Sequence, residues 1–431
     1  MYAYRAPHQR RKPANCTGCV QAPVLLWKPF NVRLFPIYLF IFIVFLNRYV
    51  FGLYLTIVNR KKLATKIQGW EPTVTIVVPL FNEGRSIYET IQSFTRLEYP
   101  PEKLNVTVVD DCSTDDSYEW ALKAAREFPN VTVLRNPHNM GKRKGINHAV
   151  RESKSEIIVS VDSDVIVHPR AVRELVAGFI TPEVAAVGGR VHVSNPNVNW
   201  LTRMQTIKYY FGQEHLKNLE RGLDCCLCLS GCLTAYRRQV LIDLEPILED
   251  RNVFGIPIKY GEDRYLTHLI VKHGYKTRMN MDALCFTKAQ VTLRTYFNQQ
   301  LRWKRSNIVD FIIFTMDAWK LHPLMCVQYL SMLALLLIYP FLIVTHLING
   351  QFFQLVMFHC AIIALFGSIY YFAPSIRKLP PWLRVHPLSF LPMAVMMPAA
   401  YIILTPLGLF TLDSSSWETR GAPAKKVGAA K

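Results

Sequence analysis

The chain has 431 residues, 51% of them hydrophobic, yet its formal charge is +19. An apolar average beside that much charge points to segregation, with membrane helices in some stretches and a charged soluble body in others. Ten cysteines scattered without a short-scaffold rhythm exclude a small disulfide-stapled secreted fold and suit a mostly cytosolic body with reduced thiols.

Residues 1–32 read as a basic leader. The first apolar run comes late and no small-residue cleavage site follows it, so the leader is not a cleavable signal. Residues 33–58, RLFPIYLFIFIVFLNRYVFGLYLTIV, are long enough to span a bilayer, although Asn47 and Arg48 interrupt them. The basic stretch NRKKLATK follows as a cytosolic flank should. From 71 to 304 the texture is that of a globular α/β domain. TVTIVVPL and LNVTVVDD are β-branched runs of the kind found in buried parallel strands, and SIYETIQSFTRL and SYEWALKAAREF carry helical periodicity between and after them. This alternation predicts a doubly wound sheet that binds its ligand at the carboxyl ends of the strands. IIVSVDSDVIV is another such strand, running directly into a carboxylate pair.

Residues 305–320 have the two-sided character of an interfacial helix. Three membrane segments then fill 324–410, bringing the expected total to about four. The basic loop SIRKLPPWLRVHP between the second and third faces the cytosol by the positive-inside rule. The third carries Pro392, Pro398 and Pro406, so a broken or re-entrant course is expected. Residues 411–431 end the chain in a basic tail.

Four polar clusters stand where chemistry is expected. Asp110 and Asp111 end VTVVDD; Asp162 and Asp164 form an Asp-Ser-Asp triplet; Glu262 and Asp263 stand in YGEDRYLT; Gln299, Arg302 and Trp303 share NQQLRWKRSN. Carboxylates one residue apart at a strand end suit Mg²⁺ or Mn²⁺, which completes its shell with substrate phosphates and water. Asp111 suits a hydrogen bond to a base or ribose. In NMGKRKGINHA, Lys142, Arg143 and Lys144 precede a helix and offer cations for a diphosphate. Cys16 with Cys19 and Cys225 with Cys228 have metal-like spacing, but a membrane span separates the pairs, so no shared zinc site is expected. The basic charge lies in tails and membrane flanks rather than on one face interleaved with aromatics, which argues against a nucleic-acid partner.

The order of these motifs resembles the processive family-2 glycosyltransferases: hyaluronan synthases, chitin synthases and nodulation-factor chitin oligosaccharide synthases. The likeness runs from Val74 to Asn307 and returns at FTLDSSSWETR. It implies a GT-A-like cytosolic domain on a multi-pass plasma-membrane protein, with a UDP-sugar donor, UDP-GlcNAc foremost, and a growing polysaccharide leaving through the lipid bilayer. By the same resemblance Phe81, Glu83 and Asp111 hold the uridine, while Asp162 and Asp164 bind metal and diphosphate. Asp263, beside Glu262, is the general base. Arg302 braces the departing diphosphate, Gln299 completes the polar lining, and Trp303 offers its ring to the acceptor sugar. CLCLSGCLTAYRR matches the acceptor segment through Cys228, Ser230 and Gly231. WETR matches a gating segment through Trp417 and Arg420, with Glu418 where glycine is usual. The implied activity is inverting polymerisation of a β-linked capsule or cell-wall glycan. The alternatives are a non-processive transferase acting on a lipid-linked acceptor and an inactive scaffold, and the full set of acids argues against the second.

Overall fold

The computed structural model describes residues 35–412, apart from Phe254 and Lys259. Cys16, Cys19, Trp417, Glu418 and Arg420 therefore lie outside the described residues. The soluble body is built on β1 (Val74–Leu80), β2 (Leu104–Asp110), β3 (Val131–Arg135), β4 (Ile157–Ser160), β5 (Ile166–Val167), β6 (Val184–Val193), β7 (Thr234–Arg237) and β10 (Lys276–Thr287), with a small ribbon of β8 (Asn252–Val253) and β9 (Ile256–Pro257). The large sheet runs in the order β3-β2-β1-β4-β7-β6-β10-β5.

Its first four strands are parallel, the nucleotide-binding half that alternating strands and helices lead one to expect. Beyond β4 the sheet is mixed: β7 runs antiparallel to both β4 and β6, and β6 is again parallel to β10. β1 is buried along its whole length. Period-two alternation sends Val74, Ile76, Val78 and Leu80 to one core and Val77 to the other, so the sheet is covered on both faces. Pro79 is tolerated because β4 stops pairing with β1 at Val77↔Ser160, leaving only β2 alongside.

Helices Phe35–Val58, Pro323–Ile348 and Phe352–Phe372 are long and apolar enough to cross a membrane. Pro381–Phe390 and Met393–Leu409 meet at 71°, a bent pair rather than one straight crossing. The first span is not uniformly α-helical, since Leu46–Phe51 widens into a π-turn. That turn holds the interrupting Asn47, which is buried and donates from Nδ2 to the Leu324 carbonyl at 3.2 Å. Residues 305–320 do not form a separate element, because one helix runs unbroken from Leu293 to Asp317 and carries both the Gln-x-x-Arg-Trp residues and the interfacial stretch. Helix Trp200–Glu214 joins the soluble body to the membrane part. Its Leu201, Met204, Ile207 and Phe211 pack with Tyr296, Ile363, Tyr370 and Phe390.

Candidate active site

β1, β2 and β4 are parallel neighbours whose carboxyl ends lie at one edge of the sheet. Phe81 and Glu83 follow β1, Asp111 follows β2, and Asp162 and Asp164 follow β4. β7 runs the other way, pairing Thr234 with Ser160, so its preceding loop, Cys228 to Cys232, arrives at the same edge. Segments far apart in the chain thus converge on one crevice for topological reasons.

The β1 and β2 loops are laced together. Ser113 Oγ accepts from Asn82 N at 3.1 Å, and Ser117 Oγ accepts from both Glu83 N and Gly84 N at 2.7 Å. Asp110 is fully buried and paired with Arg135 at 3.1 Å. Asp111 is already engaged: its carboxylate accepts from Asn136 Nδ2, Met140 N and Gly141 N, each at 2.8 Å. These bonds fix the turn that presents Lys142.

The basic trio separates. Lys142 reaches into the crevice, while Arg143 donates to the carbonyls of Ile258 and Glu249 at 3.2 and 3.3 Å. Lys144 is exposed on the outside of its helix. Lys142 and Lys144 therefore take different sides of the helix, as residues two apart do, and only Lys142 stands beside Asp162 and Glu262.

Lys142 Nζ bridges Asp162 Oδ1 at 2.7 Å and Glu262 Oε1 at 2.9 Å. Burial opposes its charge, but Asp162, Glu262 and Asp263 outweigh burial and hold it well above the ordinary lysine value. Glu262 and Asp263 open helix Glu262–Lys272, after Gly261 in the left-handed conformation (φ 68°). Gly231 N donates to Asp263 Oδ2 at 3.2 Å and Arg264 N donates to Oδ1 at 2.9 Å. The two neighbouring acids differ sharply. Burial raises the Asp263 carboxyl and the Glu262 charge raises it further. Burial works the same way on Glu262, but Lys142 overcomes it and brings Glu262 below its usual value. The surroundings thus push the two acids apart, favouring a proton on Asp263 and the charged form of Glu262.

Arg302 and Trp303 approach from the Leu293–Asp317 helix, and Gln299 is buried one turn earlier. Tyr209, on helix Trp200–Glu214, connects the two sides of the site. Its hydroxyl lies within electrostatic reach of Cys232, Asp164, Arg302 and Asp162, and its ring meets the Trp303 ring edge-on at 6.1 Å. Nothing in the spacing of YYFGQEH marked Tyr209 in advance. Arg302 Nε is buried without an acceptor among the described residues, a geometry that asks for an anion. Cys228 contributes its carbonyl, which accepts from Lys217 Nζ at 2.6 Å. Ser230 closes the turn before β7, its carbonyl accepting from Thr234 Oγ1 at 2.7 Å.

Gly231 is required by close approach, since a Cβ there would stand 2.8 Å from Lys142 Nζ and 3.6 Å from Asp162 Oδ1. Lysine is flexible enough to yield, so Gly231→Ala is expected to fold and melt as wild type while transfer falls roughly 10²-fold through misplaced charge. Activity beside a thermal melt checks this; a normal rate would separate Lys142 from the chemistry.

Among the described residues no three His, Cys, Asp or Glu side chains form a ready-made metal cage. Two carboxylates on one strand end, with Asp162 already accepting a cationic ammonium, nevertheless form a hard-oxygen donor set of the kind a Mg²⁺ or Mn²⁺ brings its own phosphate and water ligands to.

The fold is that of a GT-A-like glycosyltransferase. Residues 72–306 match the family described as glycosyltransferase like family 2, and the chain belongs to that family. It is 30% identical over 360 residues to an N-acetylglucosaminyltransferase from Rhizobium leguminosarum bv. viciae, covering 82% of each chain. It is 28% identical over 358 residues to a hyaluronan synthase from Streptococcus pyogenes serotype M1, covering 80% of this chain and 83% of the relative. A third relative, an N-acetylglucosaminyltransferase from Bradyrhizobium diazoefficiens, is 34% identical over 58% of this chain, and that match spans about half of the relative's length (51%). In fold the chain is similar to a mannosyltransferase from Pyrobaculum calidifontis solved with GDP-Man and Mn²⁺, with a TM-score of 0.57 and 20% identity over 87% of this chain and 97% of that one.

Proposed function

We propose that the protein is a membrane-embedded, inverting synthase that builds a β-linked polysaccharide containing N-acetylglucosamine from UDP-GlcNAc and passes it into its membrane domain. What supports this reading is the convergence, beside the membrane helices, of Asp162, Asp164, Glu262, Asp263, Arg302 and Trp303 around Lys142 and Tyr209. In this reading Phe81 and Glu83 line the uridine end, with Asp111 holding the turn behind. Asp263 takes the proton from an acceptor hydroxyl as that oxygen bonds to the anomeric carbon and the bond to the diphosphate breaks. The electron pair leaves with UDP. Arg302 and Lys142 face the charge that grows on the leaving group, where fixed cations act most strongly. Trp303 and Tyr209 present ring faces and edges to the acceptor sugar. A divalent cation, held by Asp162 and Asp164, would neutralise the diphosphate when bound. The catalytic body faces the cytosol, at the plasma membrane.

The test supplies protein in lipid nanodiscs with Mn²⁺ or Mg²⁺ and radiolabelled UDP-sugars, singly and in pairs. The expected product is a ladder containing GlcNAc, made from UDP-GlcNAc alone and cleaved by chitinase, or made with a second UDP-sugar and cleaved by hyaluronidase; EDTA abolishes either. Incorporation that stops at one sugar on an extractable lipid would replace this reading with the non-processive one, and no incorporation from any UDP-sugar would overturn both.

A further inference from the structure

The loop that delivers Glu262 and Asp263 is held from behind by a buried ion pair. Arg251 and Asp310 are 2% and 1% exposed, and Arg251 Nη2 donates to Asp310 Oδ1 at 2.8 Å. Nη1 of the same guanidinium donates to the carbonyls of Tyr260 and Gly261 at 2.6 and 3.0 Å. These two residues immediately precede Glu262. The Tyr265 ring lies 4.6 Å from the Arg251 guanidinium. On the other side Ser306 Oγ donates to Asp310 Oδ2 at 3.2 Å, and a Cβ on Gly261 would collide with that hydroxyl.

Ser306 and Asp310 belong to the helix that carries Gln299, Arg302 and Trp303. The C-terminal segment joins the same junction. Tyr260 Oη donates to the Leu412 carbonyl at 2.9 Å, and Arg305 Nε donates to Thr411 Oγ1 at 2.9 Å.

Folding alone gives little reason for such a pair. Two buried charges lose their hydration, and apolar residues of similar volume often support a fold equally well. Only a planar fork of donors, however, can bind two successive carbonyls and a carboxylate at once and so fix a loop's backbone in one orientation.

We propose that Arg251 and Asp310 are positioning residues, clamping loop 260–263 to the Leu293–Asp317 helix so that the base, the leaving-group cation and the acceptor platform keep one geometry. The proposal rests on the reading of Asp263 as the base.

The test compares Arg251→Met/Asp310→Leu, Arg251→Lys and Asp263→Asn with wild type in nanodiscs. The double variant is expected to melt near wild type and bind UDP with unchanged Kd. Its donor KM stays close to wild type while kcat falls roughly 10²-fold, as a misplaced base would cause. Arg251→Lys keeps the buried charge but not the fork, and does not restore kcat. If the double variant fails to fold, Arg251→Lys carries the test alone; native kcat in either folded variant overturns the clamp. Native turnover in Asp263→Asn would instead overturn the base assignment, whatever the Arg251 variants do.

Discussion

Asp263→Asn is expected to lower turnover roughly 10²–10⁴-fold, the usual worth of a positioned general base, while UDP binding is retained. The amide keeps the shape of the carboxylate, and its single oxygen can still accept from one of Gly231 N and Arg264 N, which bond different carboxylate oxygens, while Arg251 continues to hold the Tyr260 and Gly261 carbonyls just before it. What is lost is the ability to take a proton. The pH profile carries the same signature. Burial and the Glu262 charge raise Asp263, so wild-type turnover is lost as pH falls through a value raised from that of an ordinary aspartate. Lys142 pulls the other way. Removing that positive charge in Lys142→Met raises Asp263 further and moves the acid limb to higher pH. An unmoved limb would place the titrating group elsewhere.

Arg302→Lys comes next in size. Lysine keeps one positive charge but presents a point rather than a fork, and it does not reproduce the buried Nε that has no acceptor among the described residues. Loss of a preorganised group aimed at developing charge costs roughly 10²–10³-fold in kcat. Because that charge grows only as the bond to the diphosphate breaks, donor KM is expected to change far less than kcat. Steady-state kinetics separate the cases: a raised KM with native kcat would make Arg302 a ground-state binding residue.

Much of the fold is visible in the sequence because Val74–Leu80, Leu104–Asp110 and Ile157–Ser160 are β-branched runs separated by segments of helical periodicity. The mixed half of the sheet is not, since β7 is a four-residue strand whose direction is set by tertiary pairing with β4 and β6. Motif order identified Asp162, Asp164, Asp263, Arg302 and Trp303 as site candidates, because acids at strand ends and an Arg-Trp pair near a membrane stand out locally. The different placements of Lys142 and Lys144 are not legible, because a basic run does not reveal which side of a helix each member takes. The bonds of Asp111 to 136, 140 and 141 are made by the fold, and no spacing encodes them. Tyr209 and Arg251 were missed for the same reason, as their meaning arises only from what the fold brings beside them. Asp310 did leave a trace, a lone acid in the apolar run NIVDFIIFT, and such an acid is rarely left without a partner.

The most direct measurement is a structure of Asp263→Asn bound to UDP-GlcNAc and Mn²⁺ in lipid. One crevice is expected to hold the whole donor, with the diphosphate between Asp162, Asp164 and Arg302, Lys142 drawn off Asp162, and the sugar facing Trp303 and residue 263. A nucleotide bound on another surface, with Lys142 still seated on Asp162 and Glu262, would contradict the account.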